Sequence, residues 1–294
     1  MKNSTSQALR ALRERGMALV FLLAALVSIL CVGLICVFLF ANGIPAMQEI
    51  GVPDFLLGRT WKPGNDIYGI FPMIVGSVYV TGLALLIGVP VALLTAVYLA
   101  YFCPAQVYRF IKPAIELLAG IPSVVYGFFG IVVLVPAVRA LGEPFGGKGN
   151  SILTASLLLA IMILPTIIGV VEPAIRAVPR SYYEGSLALG ATHERSVFSA
   201  VLPAARSGVL AGIVLGLGRA MGETMAVIMV AGNQARMPKG ILQGVRTLTG
   251  NIVLEMGYAA GLHREALIAT GVVLFVFILL INLAFSALKG RDRG

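Results

Sequence analysis

Long apolar runs separated by short polar segments dominate the chain. Runs at about 17–41, 72–101, 111–137, 151–174, 205–230 and 265–288 each exceed twenty residues, enough for an α-helix to cross about 30 Å of hydrocarbon. The pattern predicts six membrane spans and an all-α, polytopic fold. The second run is overlong and holds Pro90, so tilt, a kink or a start outside lipid must absorb the excess. Pro113 suits the first turn of the third span. Pro165 interrupts LAIMILPTIIG and predicts a kink that tight packing can tolerate. One segment breaks the rhythm: SYYEGSLALGATHERSVFSAVLP, Ser181 to Pro203, the least apolar long stretch of the second half.

Local signals inside that stretch predict two short helices. Ser181 and Glu184 have the spacing of a capping box, with Arg180 just outside. The first helix then runs through Gly185, Ser186, Leu187, Ala188 and Leu189, and Gly190 supplies the left-handed residue that ends it. Such a helix spans roughly 12 Å, too short to cross a bilayer or to hold alone. Thr192 can cap a second helix that carries Glu194 in its first turn and runs toward Pro203. Together they form a compact knob at the membrane face. Three readings are open: a docking platform for another protein, an amphipathic interfacial connection, or a site for lipid headgroups.

Composition agrees with the hydropathy. Of 294 residues 59% are hydrophobic and 12% charged, and mean hydropathy is +0.95; a soluble domain needs about 25% charged residues. The formal charge of +9 does not mark a nucleic-acid binder, because the 22 Lys and Arg sit mostly in segments between apolar runs and form no single stripe. Thirteen of them fall in the segments 1–16, 102–113, 172–206 and 289–294, against eight in 42–70, 138–150 and 231–264. That excess predicts both termini, and the 181–203 knob, on the cytoplasmic side. The basic start followed by some 25 apolar residues reads as an uncleaved first span rather than a signal peptide, in a prokaryotic inner or plasma membrane. Asn3-Ser4-Thr5 would then face the cytosol and carries no weight as a glycosylation acceptor. The segments 42–70, with Trp61 and Tyr68, and 231–264 either pack on the outer mouth, touch an external partner or merely connect. Cys31, Cys36 and Cys103 read as small apolar fillers rather than a disulfide or metal set.

Charges within apolar runs are the candidate chemistry. Arg219 and Glu223 fall near the middle of the fifth run, where a charge costs about 2.5–3.5 kcal/mol in lipid. On a continuous helix they share an arc of about 80° with Gly208, Gly212 and Gly216. The glycines allow another helix to approach closely, which turns the charges toward the protein interior or a pore. Arg219 can bind an anion through its fork, with Glu223 holding it or moderating its attraction; equally, the pair can only fasten spans together. Glu116, about five residues into the third run, reads as a headgroup-level or interhelical group partnered by Arg109 or Lys112. Ser123, after Pro122, can lend a hydroxyl or freed backbone groups to a kinked region. The loop Gly142–Gly149 nearly spells a P-loop, but Gly149 replaces the Ser/Thr and no soluble strand precedes it. No catalytic constellation is present, so no enzyme activity is expected of this chain.

Four stretches carry a family resemblance. EGSLALGATHERSVFSAVLP resembles the EAA loop of ABC-importer permeases, with Glu184, Gly185, Ser186, Gly190, Val201, Leu202 and Pro203 at the pattern positions; Gly185 and Ser186 stand where alanines are preferred. NDIYGIFPMIVGSVYVT, IELLAGIPSVVYGFFG and LGLGRAMGETMAV are similar to PstC-type permeases of phosphate importers. The resemblance implies a type I (MetI-like) permease core of five helices over 63–294, with its coupling segment at 180–203 and a preceding unit, 1–62, of cytosolic segment, first helix and external loop. It further implies that Ser181, Glu184, Gly185, Ser186, Gly190, Leu202 and Pro203 dock an ATPase. The implied partners are a homologous second permease subunit (PstA-like), two ATPase subunits (PstB-like) that use ATP-Mg, and an extracytoplasmic phosphate-binding protein (PstS-like); the chain itself holds no cofactor. Rival readings are a permease for sulfate or molybdate, an ATPase-independent secondary phosphate transporter, and a non-transporting scaffold or sensor.

Overall fold

The structure, a computed structural model, describes residues 2–290, without the side chains of residues 2–12, 145, 286 and 288–290. The side chains of the Asn3–Thr5 pattern, and residues 291–294 of the basic tail, lie outside what is described. Helix α1 (Lys2–Ile50) is followed by α2 (Val52–Leu57) and a two-stranded hairpin, β1 (Trp61–Lys62) antiparallel to β2 (Ile67–Tyr68). Helix α3 (Phe71–Val97) widens into a π turn to Phe102; α4 (Ala105–Gly120), α5 (Ser123–Phe129), α6 (Val135–Gly142) and α7 (Ile152–Arg176) come next. The knob holds α8 (Arg180–Ala188), α9 (His193–Ser196), a π turn and α10 (Leu202–Ala204). Last come α11 (Arg206–Gly222), α12 (Met225–Val230), α13 (Leu248–Glu255) and α14 (Leu262–Gly290).

Five helices are long and apolar enough to cross a membrane, and a sixth crossing exists if the bent pair His193–Ala204 and Arg206–Gly222, which meet at 72°, counts as one span. The hairpin lies at one end of the bundle and the knob at the other. Helix α7 is the axis, buried along most of its length. Helix α3 offers it a seam of Val80, Ala84, Gly88, Ala92 and Ala96, all buried. This spacing of four keeps small side chains on one ridge, so the two helices interlock. A Cβ on Gly88 would lie 2.8 Å from Ile163 Cδ1. Helix α1 packs on the bundle through its second half, where Phe40 lies edge-on against Phe275 of α14. Its residues from Met17 to Phe38 present almost unbroken exposed apolar side chains, as a lipid-facing helix must.

Three expectations about element boundaries need correction. The first helix does not stop near 41 but runs to Ile50, with Pro45 inside it. The third run is not one span: α4 ends at Gly120, and the crossing is Ser123–Gly142. Ile121 is extended (φ −68°, ψ 127°), as the ring of Pro122 demands of the residue before it. Pro113 consequently lies inside α4, not in a first turn, and Glu116 sits exposed on α4 rather than within a span. The fifth run is also broken, because α11 stops at Gly222 and Glu223 is extended (φ −71°, ψ 126°). Gly218 and Gly222 near its end are weak helix formers, which makes this an easy place for the helix to stop.

The segments 42–70 and 231–264 are packed. Trp61 and Tyr68 are buried, and with Phe55, Ile70, Met73, Leu248 and Leu267 they form a second core. A boundary at 62–63 falls at the turn of the hairpin.

Candidate functional site

Helix α8 starts two residues earlier than a capping box at Ser181 would allow. Pro179 is its N-cap and no side chain caps it, so Ser181 and Glu184 do not form the expected reciprocal pair. Proline already fixes φ at the entry and the Tyr182 amide donates to Pro179 O at 3.1 Å, which leaves less for a serine to satisfy. The C-terminus follows expectation. Gly190 has φ +86°, its N–H donates to Leu187 O at 2.9 Å, and the Ala191 N–H donates to Ser186 O at 3.2 Å. These paired bonds close the helix end with two otherwise orphaned carbonyls. Thr192 then caps α9, accepting from the Arg195 amide at 3.3 Å.

The knob is stapled to the bundle by aromatic side chains. The Tyr183 hydroxyl and His193 Nδ1 are 2.6 Å apart, joining α8 to α9. Phe102, at the end of α3, stacks at 4.6 Å from the His193 ring, and Tyr101 lies 5.4 Å from Tyr183. The other side of α8 is bare. Leu189 is 91% exposed, and nothing lies within 4 Å of a Cβ placed on Gly185 or Gly190. Clefts of about 340 Å³ and 330 Å³ flank the helix, one reaching Arg176, Arg180 and Glu184, the other Tyr182 and Gly208. An isolated nine-residue helix this exposed is not stable by itself; the aromatic staple holds it out from the bundle.

Helix α11 lies against α7 through its glycines. A Cβ on Gly208 would collide with Ala174 Cβ, and one would meet Val171 Cγ2 at 2.7 Å from Gly212 and Ile167 Cγ1 at 2.7 Å from Gly216. Arg219, on the same arc, donates to Thr166 Oγ1 of α7 at 3.1 Å. Glu223 does not share the face, because its backbone has left the helix. Its Oε1 instead accepts the Ala226 amide of α12 at 3.2 Å, and among the described residues no ion pair joins it to Arg219. Leu118 O, freed by the break before Ser123, accepts from the Tyr126 hydroxyl at 2.8 Å.

Comparison with known proteins decides the family. Residues 88–292 match the family described as binding-protein-dependent transport system inner membrane component. The chain belongs to this family of ABC-importer permeases. It is 38% identical to the probable ABC transporter permease protein YqgH of Bacillus subtilis, over 90% of this chain and 88% of that one. It is 34% identical to the phosphate transport system permease protein PstC of Mesorhizobium japonicum, over 88% and 84%. The probable counterpart in Methanocaldococcus jannaschii is 30% identical over 85% of each chain. Among solved structures, the fold is similar to that in a MetNI methionine ABC transporter, with a TM-score of 0.55 and 21% identity over 76% of this chain and 94% of that one. It is also similar to that in an ABC transporter for the import of alginate, with a TM-score of 0.58 and 17% identity over 75% and 78%. The permease is therefore a multi-pass membrane transport subunit and not an enzyme, and its family implies partners such as an ATPase and a binding protein.

The permease also holds a buried charge that the reading of apolar runs missed. Glu172 of α7 is 1% exposed. Its carboxylate accepts from Tyr108 Oη at 2.9 Å, Lys112 Nζ at 2.7 Å and Arg176 Nε at 2.8 Å. Arg176 in turn donates to Leu99 O at 2.6 Å and lies over the Tyr108 ring at 5.0 Å. Helices α3, α4 and α7 are thus fastened at the knob end of the permease. Glu116 has only the edge of this network, 3.9 Å from Lys112. The signal for Glu172 was available: an acid near the end of an apolar run, four residues before an arginine. The three cysteines are free thiols, and no group of three or more metal-ligating side chains occurs among the described residues.

Proposed function

We propose that this permease is a membrane-spanning subunit of an ATP-driven phosphate importer, with both termini and the α8 knob in the cytoplasm. The observation that carries the cargo is the 34% identity, over 88% of the chain, to a protein named as a phosphate transport permease. The complex would contain a homologous second permease, two ATPase subunits that hydrolyse ATP-Mg, and an extracytoplasmic phosphate-binding protein. The docking surface for the ATPase is α8 and its flanks: Ser181, Glu184, Gly185, Ser186 and Gly190, with Leu202 and Pro203 at the far end. Its exposure, the bare glycines and the two flanking clefts support that reading. Arg219 lines or gates the anion's route, which its place on the glycine face of α11 and its single hydroxyl contact to α7 support. A fork that is not locked onto a carboxylate can engage a passing anion and release it.

The test is uptake of radiolabelled phosphate by cells carrying the whole importer, with sulfate as competitor. Phosphate uptake that unlabelled sulfate does not reduce is the expected result. Uptake that sulfate abolishes would assign another oxyanion, and uptake independent of the ATPase subunits would make the protein a secondary transporter. Arg219→Gln should depress uptake at least tenfold, the size of one lost charge-assisted contact, while the ATPase still co-purifies.

A further inference from the structure

The near-P-loop segment at the hairpin end forms one wall of a cleft that no transport role has yet used. From the geometry we infer that this cleft binds a free tetrahedral oxyanion at the end of the bundle opposite the knob. Its volume is about 110 Å³, three to four waters at about 30 Å³ each, so it is sized for one small polyatomic ion. Lys148 and Arg236 line it together with the amides of Asn150, Gln234 and Gln243, and among the described residues no acid does. The Gln243 Oε1 is held by the Lys239 amide at 3.1 Å, which leaves its NH₂ to donate elsewhere. Gln234 Oε1 is buried without a hydrogen-bond partner. Turning that amide over about its last torsion exchanges the places of its oxygen and its NH₂, so this cleft-lining side chain can adjust its hydrogen bonding to an occupant.

The cleft is built on a fixed frame. Gly149, at φ +90° with Val135 O 2.6 Å from where a Cβ would sit, turns the chain sharply beside Lys148. The opposite wall is tied to the start of α7: the Ile152 amide donates to Gln243 O at 3.0 Å and the Leu153 amide to Ile241 O at 2.9 Å. Gly244 makes room for the Gln234 amide, since a Cβ there would lie 3.1 Å from its Cδ. Both cations are exposed, so the site is weak and fast to exchange, as a waiting position for an ion in transit must be. The identity of the anion as phosphate rests on the function proposed above; the cleft itself does not.

Equilibrium dialysis of ³³P-labelled phosphate against the purified permease–ATPase complex in nanodiscs, without the binding protein, tests the inference. Lys148→Ala and Arg236→Ala should each weaken binding about five- to tenfold, the double variant and Gln234→Glu should abolish it, and Arg219→Gln should leave it in place. Binding unchanged in the double variant, or lost only in Arg219→Gln, overturns the cleft. Binding suppressed by replacing zwitterionic with phosphatidylglycerol nanodiscs overturns the free ion as occupant in favour of a lipid headgroup. Sulfate bound by the same residues while phosphate is not would keep the oxyanion cleft and remove phosphate as the cargo.

Discussion

Glu172 is held on three sides by polar partners. A carboxylate 1% exposed survives inside an apolar helix only because a tyrosine, a lysine and an arginine converge on it. Only the carboxylate is fully buried, the Lys112 and Arg176 side chains being 21% and 45% exposed. Removing it therefore strands cations that water still reaches, and costs less than breaking a fully buried pair, which costs about 3–5 kcal/mol. Glu172→Ala should therefore lower the melting temperature of the detergent-purified complex by several degrees. Adding Lys112→Met should recover part of the loss, because it removes one of the two cations that lose their shared carboxylate. A double variant that melts no higher than the single one would show that the network is not the source. The residue was hard to read in the sequence because its partners are remote: Lys112 lies 60 positions away. Arg219 was legible because an isolated charge in mid-run needs no partner to be noticed. Its supposed pairing with Glu223 failed because it assumed an unbroken helix.

At the scale of elements, the glycines separate into two kinds. Those of α11 are needed for packing. Gly212→Leu would drive a side chain into Val171 and Ile167, and overpacking of this kind costs about 1–3 kcal/mol, visible as a lowered melting temperature and loss of complex yield. Gly190 is needed for its backbone. Gly190→Ala forces an alanine to φ +86°, against a left-handed penalty of about 1–2 kcal/mol, and should loosen the knob so that ATP hydrolysis continues while phosphate uptake falls. Gly185→Ala is the control for that experiment. It meets nothing within 4 Å and gains up to about 1 kcal/mol of helix propensity, so coupled uptake should stay at or above the native level. If both alanines behave alike, the turn at Gly190 has no special role. Helix existence was plain from the apolar runs, and so was the stop at Gly190. The breaks at Ile121–Pro122 and Glu223–Thr224 were not, because hydropathy continues straight across them.

Across the whole molecule, the hairpin end is closed by one carboxylate that joins segments far apart in the chain. Glu255 accepts from Trp61 Nε1 at 2.8 Å, 194 positions away, contacts His263 Nε2 at 2.8 Å, and pairs with Arg246, which also reaches Asn251 Oδ1 at 3.1 Å. Tyr68 and Tyr258 flank the His263 ring. Burial pushes the Glu255 carboxyl up, but the hydrogen bonds from Trp61, His263 and Arg246 outweigh it and hold the group below its ordinary value of 4.5. A carboxyl depressed in the folded state stabilises that state fully above its ordinary value, and the contribution drains away as pH falls through the folded one. The native protein should therefore lose melting temperature as the medium is acidified below about pH 4.5, on top of any general acid sensitivity. Glu255→Gln should start lower at neutral pH, because it leaves Arg246 without its anion, and should show a flatter acid limb. Trp61→Phe removes one donor, so its carboxyl titrates at a higher pH; its acid limb begins at the same pH as the native one but levels off sooner and loses less in total. Melting curves from neutral pH to the acid limit decide the matter: three parallel limbs would mean that closure of this end is independent of Glu255. The sequence named Trp61 and Tyr68 as residues of an outer segment but could not say whether they met anything, since the acid they surround belongs to another segment near the far end of the chain.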